Sequence, residues 1–163
     1  MQTSIWGITH NAAVRLKAGT ILLTLGLVLP AFATLGGTES SVEADRAQMK
    51  ATVQVTKTDA YSVHEIKMPI GTAIREYVAP DGKVFAVAWQ GPMIPDMQQL
   101  LGTYFQQFSA AAKKARESYH GRRPLNIQEP GLVMQSSGHM HAYWGRAYDP
   151  ELVPQGVKPQ DIR

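Results

Sequence analysis

Cysteine is absent from the 163 residues. That excludes disulfides, thiol catalysis and thiolate metal sites, so the fold must be held by packing and hydrogen bonds. It also excludes a lipid-bearing thiol near the N-terminus. No Asp or Glu precedes Glu39. Nor is there an apolar run long enough to anchor the chain in a bilayer: Ala18 to Leu29 carries no charge, yet it is far shorter than the roughly twenty residues a spanning helix needs. Walker loops, dinucleotide fingerprints, EF-hand loops, H-E-x-x-H and G-x-S-x-G are all missing, which removes the common sequence-readable chemistries.

What the N-terminus does hold is the pattern of an export signal. Arg15 and Lys17 form a positive region, Ala18 to Leu29 the apolar segment, and Pro30 ends it. Ala31-Phe32-Ala33 is the small-x-small pattern that signal peptidase reads. Residues 1–33 are therefore expected to be a signal peptide cleaved after Ala33. The mature chain is expected to be periplasmic or secreted, without a transmembrane segment. Removing Arg15 and Lys17 takes the formal net charge from +3 to +1. A nucleic-acid partner is not expected, because such binding depends on many Lys and Arg neutralising phosphates.

Residues 34–163 are long enough for one domain with its own core. Leu35-Gly36-Gly37 is expected to be a flexible start. Ser40 and Glu43 form a capping box ahead of a short helix over residues 41–50. Strand-forming runs follow at 52–57, 61–68, 73–78 and 84–89. Pro69-Ile70-Gly71 and Pro80-Asp81-Gly82 suit hairpin turns with Pro first and a left-handed Gly last. These turns set the register, with Met68 facing Thr72, Ile66 facing Ile74, Glu65 facing Arg75 and His64 facing Glu76. The second turn predicts Tyr77 opposite Phe85 and Val78 opposite Val84.

In that register Tyr61, Tyr77, Phe85 and Trp89 share one face of the meander. Ile66, Met68, Ile74, Val78, Val84, Ala86 and Ala88 share the other. Asp96 caps a long helix over 97–118, with Leu101, Tyr104, Phe105, Phe108, Ala111, Ala112 and Ala115 as its apolar stripe. A last hairpin is read over 132–136 and 140–148, before a Pro-rich irregular tail. The fold class is α+β: an antiparallel β-meander plus a C-terminal hairpin, packed by one long amphipathic helix and a short N-terminal helix.

Several stretches then resemble a known family. They are Ser41-Val42-Glu43-Ala44-Asp45, the strands around Tyr61 to Glu65 and Arg75 to Val78, Val84 to Pro92, and Leu100 to Tyr104. Gly138-His139-Met140 and Asp161-Ile162-Arg163 complete the likeness. Together they resemble the exported bacterial proteins of domain of unknown function (DUF) 2844, over nearly the whole of 34–163. The resemblance implies export and a single domain. It supplies no activity and no catalytic residues.

Four groups of side chains carry potential chemistry. His64 opposite Glu76 has the composition of a general base or pH switch, since a carboxylate orients an imidazole and favours its protonated form. The ordinary reading is a structural pair. Arg75 opposite Glu65 is an ion pair or a carboxylate-binding site. His139 and His141, at i and i+2 of a strand, would share a face and supply two metal ligands. Lys113, Lys114, Arg116, Arg122 and Arg123 form a basic run fit for an anionic envelope surface, or simply a solvated helix end.

No cofactor is implied. The composition favours a binding or accessory protein that meets another envelope protein or an anionic surface. The alternatives are an enzyme built around His64 and Glu76, and a metal-binding module using His139 and His141.

Overall fold

The computed structural model describes residues 34–38, 52–118 and 124–163. Ala33, Arg122, Arg123 and the expected helix over 41–50 lie outside them. The described residues build an α+β domain around one antiparallel seven-stranded sheet. Its order is β1(Thr52–Lys57), β2(Ser62–Lys67), β3(Ala73–Val78), β4(Val84–Gly91), β7(Ala142–Tyr148), β6(Leu132–His139), β5(Leu125–Glu129). None of the helices among the described residues is long and apolar enough to cross a membrane.

Both Pro-x-Gly turns close as their sequence requires. Met68 N–H donates to the Thr72 carbonyl at 2.9 Å and Ala79 N–H to that of Lys83 at 2.8 Å, with Gly71 and Gly82 at φ of 87° and 82°. The first turn gives the register read from sequence, including His64 with Glu76 and Glu65 with Arg75. The second gives Val78 with Val84, but the pairing then slips by one residue, so Tyr77 faces Ala86 rather than Phe85. Phe85 is the extra residue of a β-bulge, and a bulge reverses the alternation beyond it. The correction moves Ala86 and Ala88 to the aromatic face with Tyr77 and Phe85. Val87 and Trp89 move to the other face, with Ile66, Ile74, Val78 and Val84.

That second face is the larger core, and the helical segment covers it. Asp96 caps the segment by accepting from the N–H groups of Gln98 and Gln99 at 2.8 and 3.3 Å. Helix α1 spans Met97–Leu101 and α2 spans Phe105–Ser118, with a 3₁₀ turn at Gly102–Tyr104 between them. The interruption has a local cause. Gly102 sits at φ 51°, and a Cβ there would lie 2.8 Å from the side chain of Thr34.

Leu35, next to Thr34, is part of the core rather than of a flexible start. Leu35 is 1% exposed, Gly36 N–H donates to the Val84 carbonyl, and Val84 N–H donates to that of Gly37. A buried Leu contributes roughly 1.5–3 kcal/mol, and the backbone bonds hold it there.

The C-terminal part contains one more strand than expected. β5 and β6 are joined through Pro130 and Gly131, with Glu129 facing Leu132. The β6–β7 turn also falls three residues later than expected, at Met140 and His141 rather than Ser137 and Gly138, because His139 pairs with Ala142. After β7 the tail carries a second 3₁₀ turn at Pro159–Asp161 and crosses the aromatic face. Ile162 is fully buried there against Tyr77, Phe85, Ala86 and Ala88, with Leu152, Val153 and Val157 packed at the margin.

Candidate functional site

Strand register places the chemistry-bearing side chains in rows across the sheet. His64 and Glu76 are paired on the helix-covered face, each 2% exposed, beneath the larger apolar core. Ser62 Oγ lies 3.4 Å from His64 Nε2. The pair is thus assembled as its turn dictates, in a setting closed to solvent. The cleft nearest to it along β2 is lined by Tyr61, Ser62, Val78 and Ala79, not by the imidazole.

On the opposite face Arg75 is engaged within the chain. Its Nε donates to Glu65 Oε2 at 2.6 Å and its Nη1 to the Arg163 carbonyl at 3.0 Å, while Lys67 adds a 3.3 Å ion pair to Glu65. The Arg75 hydrogen bond holds the Glu65 carboxyl below its usual range. Tyr77 also grips the tail: its hydroxyl donates to the Arg163 carbonyl at 2.7 Å and accepts from the Arg163 N–H at 2.9 Å. Burial pushes the Tyr77 hydroxyl up, against the bond from Arg163. Arg75 is therefore a clamp on the tail, with an oxygen of the chain itself on one of its nitrogens.

Arg146 is a second clamp that sequence reading missed. Its Nε and Nη2 donate to Gln135 Oε1 at 2.9 and 2.7 Å, and its Nη1 donates to the carbonyls of Ile162 and Pro159. Tyr104 and Asp149 form a third tie. The Tyr104 hydroxyl donates to Asp149 Oδ2 at 2.6 Å, and Asp149 is 6% exposed. Burial, and then donation to this carboxylate, push the Tyr104 hydroxyl up to about 12. In sequence Tyr104 reads only as one member of the helix stripe.

The tail stops short of the last row on its face. Gln90 of β4 faces Trp144 of β7, which faces Ser137 of β6. Side chains alternate along β7, so Trp144 and Arg146 share this face, while Gly145 between them lies under Trp89 on the other. A Cβ at Gly145 would fall 2.1 Å from the Trp89 ring, so the indole occupies that space. Trp144 is 48% exposed.

Two clefts meet at Gln90 and Trp144. One of about 300 Å³ runs towards Arg146, Ile162 and Arg163. Another of about 590 Å³ runs towards Ser137, His139 and His141. A third of about 460 Å³ lies beyond the turn, among Ile94, Leu125, Met140 and Tyr143, with no Lys, Arg, Asp or Glu among the described residues of its walls.

The remaining expected residues are placed plainly. His139 ends β6 and His141 sits in the turn at φ 65°, so they do not share one strand face, although both line the 590 Å³ cleft. Left-handed φ at a non-Gly residue is uncommon, with His among the enriched exceptions. Among the described residues no cluster of three or more metal-ligating side chains occurs. Lys113, Lys114 and Arg116 are exposed near the end of α2.

These features define a small α+β domain with a sealed core and an open aromatic groove at one end of its sheet. A family model for the protein family of unknown function DUF2844 matches residues 31–162, and the chain belongs to that family. No curated protein and no solved structure matches the chain.

Proposed function

We propose that the chain is an exported, non-catalytic protein that binds an envelope component through the groove at Gln90, Trp144 and Ser137. One contrast carries this reading. The residues best suited to acid–base chemistry, His64 and Glu76, are each 2% exposed, whereas the open groove presents a half-exposed indole bordered by an amide and a hydroxyl. A pair closed to solvent is out of a ligand's reach, while an aromatic surface with a polar margin serves binding.

Export is supported by the charged, apolar and small-x-small order of residues 1–33. A cut after Ala33 keeps Leu35, which is locked into the core, in the mature chain. The intact mass of the full chain expressed in a bacterium is the first test. A mature species beginning at Thr34 supports export, and a chain that retains Met1 in the envelope fraction refutes it. The groove is tested by capture from an envelope extract with the wild-type protein and Trp144→Ala. Material must be retained by the first and lost from the second, with both proteins folded. Equal retention by both would place binding elsewhere.

A further inference from the structure

The groove's chemistry narrows its ligand. We infer that it takes an acidic saccharide, with a pyranose ring laid on the Trp144 indole and its anionic group held at the Arg146 end. This rests on the reading of the groove as the binding site.

A sugar ring has apolar C–H faces and a rim of hydroxyls that both donate and accept. It therefore needs a flat apolar surface bordered by groups of both kinds. The cross-strand row supplies that combination: Trp144 in the centre, the Gln90 amide on one side and the Ser137 hydroxyl on the other. Directly opposed side chains in a sheet stand about 5 Å apart, so both polar groups flank the indole closely. An isolated exposed apolar residue needs no explanation, but Trp144 lies where two clefts of about 300 and 590 Å³ meet, within the range of small-ligand sites.

Charge supplies the second observation. The partners of Arg146 are all neutral oxygens: Gln135 Oε1 and the carbonyls of Pro159 and Ile162. Among the described residues the ion pairs of Glu65 go to Lys67 and Arg75, and none reaches Arg146. A guanidinium carries five N–H donors. Those bonds occupy both donors of Nη1, that of Nε and one of Nη2, so one N–H and an uncompensated positive charge remain. Arg163, exposed, lines the same cleft. A carboxylate fits this provision. A nucleotide fits it less well: its phosphate needs more donors than one free N–H, and its base has a single aromatic face to stack on.

Calorimetry on the purified protein tests the inference with four probes. These are tetragalacturonate, the same oligomer with its carboxylates methyl-esterified, glucose 6-phosphate and AMP. The acidic oligomer is expected to bind with a dissociation constant between about 10 µM and 1 mM. The ester should bind about tenfold more weakly, as loss of a charge-assisted hydrogen bond implies. Trp144→Ala should weaken the acidic oligomer about tenfold, the scale of one lost stacking contact. Gln90→Glu, which leaves the tail clamps untouched, removes an amide donor for both probes and adds a like charge for one, so it should weaken the acidic oligomer more than the ester.

Glucose 6-phosphate binding in place of the uronate would overturn the carboxylate at the Arg146 end, where one free N–H is too few for a phosphate. Equal binding of acid and ester, or AMP binding more tightly than either, would overturn the acidic saccharide while leaving Trp144 as the site. Uronate binding indifferent to Trp144→Ala, or no binding by any probe, would overturn it as well. The envelope capture then judges the groove separately.

Discussion

On one side of the sheet, Leu35, Leu100, Leu101 and Ala112 join Ile66, Ile74, Val84, Val87 and Trp89 in one apolar core, and His64 and Glu76 are buried on the same face. On the other side, the cover is the tail of the chain, held by Arg75, Tyr77 and Arg146 to the backbone of residues 159–163. Ile162 is the one fully buried side chain in that tail. The first cover is apolar and continuous. The second is a strap fixed by polar clamps, and it leaves the row of Gln90, Trp144 and Ser137 open. The difference separates two roles that one sheet has to perform: area burial on one face sets stability, and incomplete coverage of the other leaves room for a ligand.

The sharpest way to break this comparison is to remove one buried Ile from each face. Ile66→Ala should cost about 4 kcal/mol, as large-to-small core changes do, and should lower the denaturation midpoint in urea without changing its slope. Ile162→Ala should cost about 2 kcal/mol and act locally, because few apolar contacts hold the tail. Limited proteolysis should then cut residues 149–163 while the sheet resists. If both variants unfold globally with the same cost, the tail is as integral as the helices and the contrast fails.

The tie between Tyr104 and Asp149 joins the two sides, since it runs from the helical segment to the start of the tail. Tyr104→Phe removes the donor and leaves a buried carboxylate oxygen short of a bond, which should cost about 2 kcal/mol. A second signature follows from linkage. The unfolded Tyr hydroxyl titrates near 10 and the folded one at about 12. The folded pKa is raised, so this contribution is fully present below pH 10 and is lost as pH rises towards 12. Unfolding followed by circular dichroism across that range should show the loss in the wild type and not in Tyr104→Phe.

How much of this was legible in the sequence depended on distance along the chain. Pro69-Ile70-Gly71 specifies its hairpin locally, and the pairs from Glu65 with Arg75 to Ile66 with Ile74 followed without error. The bulge at Phe85 was not legible, because Tyr77, Phe85 and Ala86 satisfy either register by local pattern alone. What selects the bulge is coverage of both faces at once, with Phe85 going to the tail side and Trp89 to the helix side.

The groove was hidden for the same reason. Gln90, Trp144 and Ser137 meet only when β4 pairs with β7, across more than fifty positions of chain. β5 was the avoidable omission, since Pro130-Gly131 is a strong two-residue turn signal and Leu125 and Ile127 alternate ahead of it.

A smaller effect sharpens the account of the clamps. Glu65 and Arg75 are part-exposed, with side chains at 23% and 29% exposure, so their pair should be worth less than about 1 kcal/mol. The folded carboxyl is held below its unfolded value. Its contribution is therefore present above about pH 4.5 and is lost as pH falls through the folded value. Glu65→Gln should flatten this acid limb of the stability profile and leave neutral stability nearly unchanged. An unaltered acid limb would mean that Arg75 clamps the tail without help from Glu65.

The central claim is that the Trp144 face is the working surface and the His64 face is sealed. Indole N–H resonances test it directly, because the chain has three Trp, at positions 6, 89 and 144. When a ligand-containing envelope extract is titrated into the labelled protein, the Trp144 signal should shift in a saturable way. That of the His64 ring should stay fixed. A saturable shift at His64 with Trp144 unmoved would contradict the account and return the function to the buried pair.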